Sequence, residues 1–149
     1  GVVRNLARAP WPYLPEHARQ FVQATVQPLY PRFLITRATD AAAVGCIGID
    51  PVEDEVELGY WIARQHWGNG YATEAGRAVI DVARMLGHAR LVASHYLDNA
   101  ASGRVLRKLG FLPTGAVRRR HSCGRGGEAT TREYALALDE DAQVAMRAA

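Results

Sequence analysis

The sequence has few of the features that would set it apart from ordinary globular proteins. Its two cysteines, Cys46 and Cys123, are far apart and form no CxxC pair, which indicates neither a disulfide framework nor a zinc site. No apolar run approaches the roughly 18 residues of a membrane span, and the first residues lack the apolar core of a secretion signal. We therefore expect a cytoplasmic protein with no metal and no membrane contact.

Lysine is nearly absent as well, because Lys108 is the only lysine among the 18 basic residues. One arginine-rich cluster, from Arg118 to Arg125, could contact nucleic acid, phosphate or an acidic peptide. A charge run of this kind is more typical of a solvated edge or hairpin loop, and the net charge is only +3. Nucleic acid is therefore not the partner we expect.

The composition and the apolar pattern are those of one mixed domain. With 149 residues, 48% hydrophobic and 22% charged, and with no linker or repeat, residues 1–149 are expected to form a single domain. Apolar spacing predicts helices from Pro15 towards Val26, after Gly70 and after Asn99. Strands are predicted over 32–38, 43–50, 55–63, 89–97, 111–118 and 129–138. The last residues, from Asp139, are expected to form a weak helix or a tail.

This order of elements predicts an α+β fold in a three-layer α/β/α arrangement. The sheet is expected to be mixed and mostly antiparallel, with helices covering it and one parallel crossover between residues 55 and 97. In the third strand, Glu57, Gly59 and Trp61 share one face, while Leu58, Tyr60 and Ile62 share the other.

A glycine turn precedes the long central helix, in the segment QHWGNGYA from Gln65 to Ala72. It is not a P-loop, because no Gly-Lys-Ser/Thr follows, and Thr73 stands where a dinucleotide fingerprint needs glycine. Glycine tolerates the dihedral angles that turn successive N–H groups to one side, and a helix start adds the positive end of its dipole. A diphosphate is therefore a candidate ligand, although such glycines can also form only a tight turn. The amides expected to converge on it belong to Trp67, Gly68, Asn69, Gly70, Tyr71 and Ala72.

Two sequence blocks resemble the GNAT superfamily of acyl-CoA-dependent N-acyltransferases. They are GYWIARQHWGNGYATEA and, about thirty residues later, NAASGRVLRKLGF, and together they are similar to the RimJ/RimL branch of protein N-terminal acetyltransferases. The resemblance implies acetyl-CoA as cosubstrate, a sheet splayed at its centre and a homodimer. It also implies that the domain is incomplete at its N-terminus, lacking the first strand and part of the first helix.

The resemblance assigns further roles. In the family, the end of the third strand pairs with the pantetheine arm, which implies cofactor contacts at Trp61, Ile62 and Ala63. The residue matching Asn99 bonds this arm, and the one matching Ser102 is the acid toward the CoA sulfur. Many relatives use a tyrosine as this acid, at the position where Leu106 stands here, and leucine cannot donate a proton. Ser102 is therefore the candidate catalytic acid, with an ordinary helix hydroxyl as the alternative.

Two residues are candidates for the general base that accepts the proton of the amine. Glu57 lies on the strand that leads to the turn, and carboxylates in this strand serve as bases in many relatives. His121 stands where the RimL-like pattern has a glutamate, and an ordinary imidazole titrates near neutral pH. Either residue could instead be a surface group, in which case water and proximity would do this work.

We thus predict an N-acetyltransferase that moves an acetyl group from acetyl-CoA to a primary amine, possibly a protein N-terminal α-amine. One alternative is a non-catalytic module on the same fold that binds CoA or nucleic acid. Another is an acetyltransferase acting on a polyamine or an antibiotic.

Overall fold

The computed structural model describes residues 1–24 and 27–139 and contains one mixed sheet with helices against it. The helices are α1 (Pro15–Gln23), α2 (Tyr71–Met85) and α3 (Ala100–Lys108). The strands are β1 (Arg32–Thr36), β2 (Ala43–Val52), β3 (Glu55–Ile62), β4 (Arg90–Tyr96), β5 (Leu112–Ser122) and β6 (Gly127–Ala137). Three short 3₁₀ helices lie at Val3–Asn5, Arg64–His66 and Cys123–Arg125. The predicted α+β class is confirmed; the predicted terminal helix or tail, beyond Asp139, lies outside the described residues.

The six strands are ordered β1-β2-β3-β4-β6-β5, and only β3 and β4 pair in parallel. Their ladder has a single registered pair, Glu57 with Val92, although β3 continues to Ile62 and β4 to Tyr96. The two central strands therefore separate towards their carboxyl ends. The splay predicted for the centre of the sheet is confirmed, and it creates an opening in front of α2 and α3.

Helices α2 and α3 cover the face of the sheet opposite to Glu57. The spacing of α2 predicts an apolar stripe that includes Val79 and Ala83, and both are buried, together with Ile80, against Leu58 and Leu91 of the sheet. Because side chains alternate along a strand, burial of Leu58 turns Glu57 and Gly59 to the other face. The predicted division of β3 into two faces is therefore confirmed.

Helix α1 differs from its expected packing. Pro15 lies in its first turn, but no residue of the helix is buried. The spacing predicts an apolar stripe of Ala18, Phe21, Val22 and Val26, yet Val22 is 69% exposed. Val26, the last member of that stripe, lies outside the described residues. The helix ends with Gln23 and places Phe21 against the guanidinium of Arg32, 5.2 Å from the ring centre. This helix borders a cavity rather than the core.

A Gly45→Ala substitution is expected to destabilise the protein at the junction of β2 and β3. A Cβ built at Gly45 would lie 2.3 Å from the backbone oxygen of Trp61 and 2.8 Å from Cδ1 of Ile62. Because backbone cannot move aside as a flexible side chain does, we expect the free energy of unfolding to fall by about 1–3 kcal/mol, measured by urea denaturation. Gly59→Ala in the same strand pair is the matched control, since nothing lies within 4 Å of its Cβ. Equal stability of the two variants would contradict this prediction.

Candidate active site

The glycine turn has the backbone conformation that the sequence predicts. Gly68 and Gly70 both have φ of +81°, a left-handed conformation that costs other residues strain. Gly70 is also the N-cap of α2. A Cβ built at either glycine would meet nothing within 4 Å, so the space in front of this backbone is open.

The amides of the turn are available to a ligand, with one exception. Within residues 1–24 and 27–139, no acceptor lies against the N–H groups of Gly68, Asn69, Gly70, Tyr71 or Ala72. The exception is the N–H of Trp67, which donates to the carbonyl oxygen of Arg64 at 3.2 Å because a 3₁₀ helix ends there. The expectation that Trp67 offers a free amide therefore differs from the structure.

Side chains hold this turn in place. The indole Nε1 of Trp67 donates to the carbonyl oxygen of Ile62 at 2.7 Å, and Nδ2 of Asn69 donates to the carbonyl oxygen of His66 at 3.1 Å. The N–H of Ala63 donates to the carbonyl oxygen of Val44. Of the three residues expected to contact the cofactor arm at the end of β3, Ile62 and Ala63 have a carbonyl and an amide, respectively, that are engaged internally.

A cavity of about 320 Å³, here called the turn groove, runs from this turn to the face of α3. It is lined by the turn residues 66–73, by Asn99 and Ser102, and by the basic side chains of Arg104 and Lys108. In the described part of the chain, no aspartate or glutamate lines it. The groove therefore presents amide donors and positive charge to an anion. Arg104 and Lys108 were not predicted, although their i, i+4 spacing on α3 was a signal.

A larger cavity of about 790 Å³, here called the sheet cavity, lies over the Glu57 face of β3 and β4. The N-terminal residues and α1 form its outer wall, where Tyr13 and Phe21 contribute aromatic surface. The two cavities share the lining residues Val2, Asn5, Leu6, Tyr60, Trp61, Asn99 and Ser102. A long molecule seated in the turn groove would therefore reach the sheet cavity beside Ser102.

Asn99 and Ser102 are joined by hydrogen bonds at this shared boundary. Asn99 is the N-cap of α3, and its Oδ1 accepts from the backbone N–H of Ser102 at 3.4 Å. Its Nδ2 donates to Oγ of Ser102 at 3.1 Å. Because the hydroxyl oxygen accepts this bond, the hydroxyl proton is left to donate elsewhere. Asn99 thus both caps α3 and orients the hydroxyl of Ser102 as a donor.

Tyr60 also reaches the boundary, and the sequence did not single it out. Its hydroxyl donates to the carbonyl oxygen of Ser102 at 3.3 Å and links β3 to α3 across the opening. Burial raises the pKa of Tyr60 to about 12, so its hydroxyl stays protonated at neutral pH. Tyr60 is therefore a hydrogen-bond donor here and not a base.

Glu57 lies in the sheet cavity, where basic residues surround it. Its Oε1 accepts from Nη1 of Arg120 at 2.5 Å and from Oγ of Ser94 at 3.2 Å. Its Oε2 accepts from Nη2 of Arg8 at 3.4 Å, and the side chain is 12% exposed. Glu57 lies on the cavity side of β3, and much of its hydrogen-bonding capacity is used by these partners.

The structure does not bring His121 to either cavity. Strand β5 places the side chain of Arg120 in the sheet cavity, and the next residue, His121, is exposed and registers with Glu128 of β6. Since successive side chains point to opposite faces, Arg120 and His121 cannot both face the cavity. The arginine-rich cluster thus occupies an edge strand and its hairpin, one of the alternatives that the sequence suggested.

Arg125 attaches the N-terminal residues to this site. Its Nε donates to the carbonyl oxygen of Arg4 at 2.6 Å, and its Nη2 donates to Oδ1 of Asp98 at 2.7 Å. The guanidinium also lies 4.3 Å from the ring centre of Tyr96. Hydrogen bonds from Arg125 hold the pKa of Asp98 below its usual range. The wall formed by the N-terminal residues is therefore fixed next to Asn99.

Two kinds of feature are absent from the described residues. No group of three or more His, Cys, Asp or Glu side chains is arranged there to hold a metal ion. No helix among them is both long and apolar enough to cross a membrane.

Comparisons with known proteins agree on one family. Residues 2–112 match a family described as Acetyltransferase (GNAT) domain. A Bacillus subtilis (strain 168) protein called "Uncharacterized N-acetyltransferase YoaA" is 35% identical over 91 residues, which is 58% of this chain and 51% of that protein. The chain spans about half the length of the curated relatives it matches.

Solved structures share the fold at lower identity. A ribosomal-protein-alanine N-acetyltransferase from Brucella melitensis has a TM-score of 0.75 at 19% identity, covering 89% of this chain and 84% of its own. The structure of yncA from Salmonella typhimurium, determined with its cofactor acetyl-CoA, has a TM-score of 0.65 at 23% identity. That match covers 84% of this chain and 71% of yncA.

Proposed function

Because the chain belongs to the GNAT acetyltransferase family, we propose that it transfers an acetyl group from acetyl-CoA to a primary amine by direct attack in a ternary complex. The observation that carries this proposal is the row of unengaged amides from Gly68 to Ala72 at the start of α2. They face a groove lined by basic residues, which is where a diphosphate would bind. The acetyl-CoA bound to yncA supports the same cosubstrate.

The residues at the boundary of the two cavities fit the requirements of acyl transfer. Bound acetyl-CoA supplies the activated thioester. The chain holds the amine in the sheet cavity and the thioester in the turn groove, and such positioning alone contributes several kcal/mol, of the order of 7–11 kcal/mol at best. The new C–N bond replaces the C–S bond, the hydroxyl of Ser102 donates its proton to the sulfur, and the proton lost by the amine replaces it through water. Asn99 orients this hydroxyl.

The amine proton has one candidate acceptor in the sheet cavity. Glu57 faces that cavity, and His121 does not line it. We propose that Glu57 accepts this proton through water and returns it through water to the oxygen of Ser102, because its own oxygens are already engaged by Arg120, Ser94 and Arg8. Solvent water and the proximity of amine and thioester account for the rest of the rate enhancement.

The finer assignment rests on sequence resemblance. The blocks around Trp61 and Ser102 favour the RimJ/RimL-like branch, with a protein N-terminal α-amine as acceptor, a homodimer and a cytoplasmic location. The Brucella protein named above acts, by its name, on a ribosomal protein, and it shares the fold with this chain.

Titration calorimetry with two matched ligands tests the cosubstrate. We expect acetyl-CoA to bind with a dissociation constant between about 1 μM and 1 mM, the usual range of substrates. S-acetylpantetheine has the same thioester but no diphosphate, so we expect it to bind at least about 100-fold more weakly. Equal binding of both ligands, or no binding of acetyl-CoA, would contradict the proposal.

Turnover is measured separately as release of the free CoA thiol when primary amines and N-terminal peptides are supplied. Acceleration above hydrolysis by any amine supports transfer. Binding of acetyl-CoA without acceleration by any of them would instead favour a non-catalytic module.

A further inference from the structure

The sheet cavity contains more positive than negative charge. Its charged lining residues are Arg8, Arg32, Arg64, Arg120, Asp50 and Glu57, so guanidinium groups outnumber carboxylates by two to one. Arg32 is paired with Asp50, and Glu57 is shared by Arg120 and Arg8. The internal pairs therefore do not neutralise the cavity.

Two of these arginines keep donors available. Among the residues that the structure describes, the guanidinium of Arg8 has one hydrogen-bond acceptor, Oε2 of Glu57 at 3.4 Å, and its side chain is 62% exposed. No described acidic group lies within ion-pair distance of Arg64. A guanidinium presents several N–H donors in a plane that matches a carboxylate, so Arg8 can bind a second anion while it contacts Glu57.

We propose that the preferred acceptor is a primary amine that also carries an anionic group, a carboxylate in the first instance, which Arg8 binds beside Glu57 and Arg120. The inference rests on the proposed acetyl transfer and extends it to the class of acceptor. The amine end lies at the boundary with Asn99 and Ser102, and the body of the acceptor packs on Tyr13, Phe21 and Trp61.

The excess of positive charge in the sheet cavity also affects the protonation of the acceptor amine. A positive neighbourhood disfavours the protonated form of an amine, and only the neutral amine attacks a thioester. It also disfavours polyamines and aminoglycosides, whose additional ammonium groups would be repelled. Acceptors with a carboxylate gain attraction that cationic acceptors lack.

Three benzylamines of the same shape test the preference. 4-(Aminomethyl)benzoate carries a carboxylate, 4-(aminomethyl)benzamide is its neutral isostere, and p-xylylenediamine adds a second ammonium. We expect kcat/KM, measured by CoA release, to be at least about tenfold higher for the benzoate than for the benzamide, and lowest for the diamine. A benzamide or diamine rate equal to or above that of the benzoate would overturn the proposal, while CoA release itself would leave acetyl transfer standing.

Two peptides test whether the amine that carries the carboxylate is a protein N-terminus or a small molecule. An N-terminal Ala-Asp tetrapeptide amide and its Ala-Asn counterpart have the same α-amine and differ in one carboxylate. Preference for Ala-Asp over Ala-Asn, with a higher kcat/KM than the benzoate, identifies a protein N-terminus. Preference for the benzoate over both peptides favours a small amine that carries a carboxylate.

Arg8 variants locate the anion. Arg8→Gln is expected to lower the benzoate-to-benzamide ratio of kcat/KM at least threefold through KM, and Arg8→Glu to shift preference to the diamine. Arg19→Gln is the matched control, since Arg19 pairs with Glu16 on α1 and does not line the cavity. An unchanged ratio in Arg8→Glu would exclude Arg8 as the anion site.

If no amine is turned over, the proposed acetyl transfer is contradicted. The preference for an anionic amine can then still be tested by binding. Calorimetry on the CoA-saturated protein would then compare the benzoate with the benzamide. Tighter binding of the benzoate supports the charge preference, and equal binding of the two overturns it.

Discussion

Gly70→Val is expected to weaken acetyl-CoA binding about 100-fold or more, whereas Gly87→Val is expected to leave it nearly unchanged. Gly70 has φ of +81° at the N-cap of α2, and a β-branched residue does not tolerate that conformation. The turn must therefore rotate, and the N–H groups of Gly70 and Tyr71 no longer point into the groove. A hydrogen bond to a charged group contributes about 1.5–3 kcal/mol, so the loss of two accounts for the effect. Titration calorimetry measures it.

The Gly87→Val variant is the control for the backbone strain that Gly70→Val introduces. It has φ of +82°, nothing lies within 4 Å of its Cβ, and it follows the other end of the same helix. Both variants therefore carry the same kind of backbone strain, about 1–3 kcal/mol in the free energy of unfolding, and urea denaturation should show similar losses. Only Gly70→Val also loses ligand affinity. If the two variants bind acetyl-CoA equally well, the turn is not the diphosphate site.

The turn could be predicted from the sequence because everything that shapes it is local. Gly68 and Gly70 provide the left-handed residues, Trp67 and Asn69 bond to neighbouring backbone, and Tyr71 begins the helix. The cap formed by Asn99 on Ser102 is local in the same way. Periodicity also predicted the two faces of β3, since alternation follows from strand geometry.

The partners of Glu57 could not be predicted, because they come from distant parts of the chain. Arg120 is 63 residues away in sequence and Arg8 is 49, and no local pattern indicates which arginine will meet which carboxylate. The bond from Tyr60 to Ser102 spans 42 residues and depends on how far β3 and β4 separate. These contacts require the tertiary structure.

Whether His121 can be the general base depends on which of two neighbouring residues of β5 faces the cavity. The sequence predicted a solvated edge or a hairpin loop for the arginine-rich segment, with the preceding strand ending at residue 118. The structure continues β5 to Ser122, so alternation assigns Arg120 to the cavity and His121 to solvent. The end of a strand is the feature that local propensity determines least well.

Ser102→Ala is expected to lower kcat about 100-fold while the dissociation constant of acetyl-CoA changes less than about threefold. A positioned general acid contributes roughly 10²–10⁴-fold to the rate. The dissociation constant should change little, because the amides proposed to bind the diphosphate belong to the glycine turn and not to Ser102. Ser102→Thr keeps the hydroxyl and should retain most of the rate. Single-turnover kinetics are the right measurement, because they follow the chemical step apart from product release. A rate in Ser102→Ala equal to that of the unmodified chain would remove Ser102 from the mechanism.

A double-mutant cycle with Asn99 distinguishes an oriented acid from an ordinary helix hydroxyl. Asn99→Ala removes both the cap of α3, at a cost of about 1 kcal/mol in stability, and the donor that fixes Oγ of Ser102. If Asn99 acts on catalysis by orienting this hydroxyl, its removal slows the single-turnover rate in the normal chain but adds little in the Ser102→Ala background. Additive losses would show that Asn99 contributes to the rate independently of Ser102. The cap affects stability equally in both backgrounds, so urea denaturation separates the structural role of Asn99 from its role in orienting the proton donor.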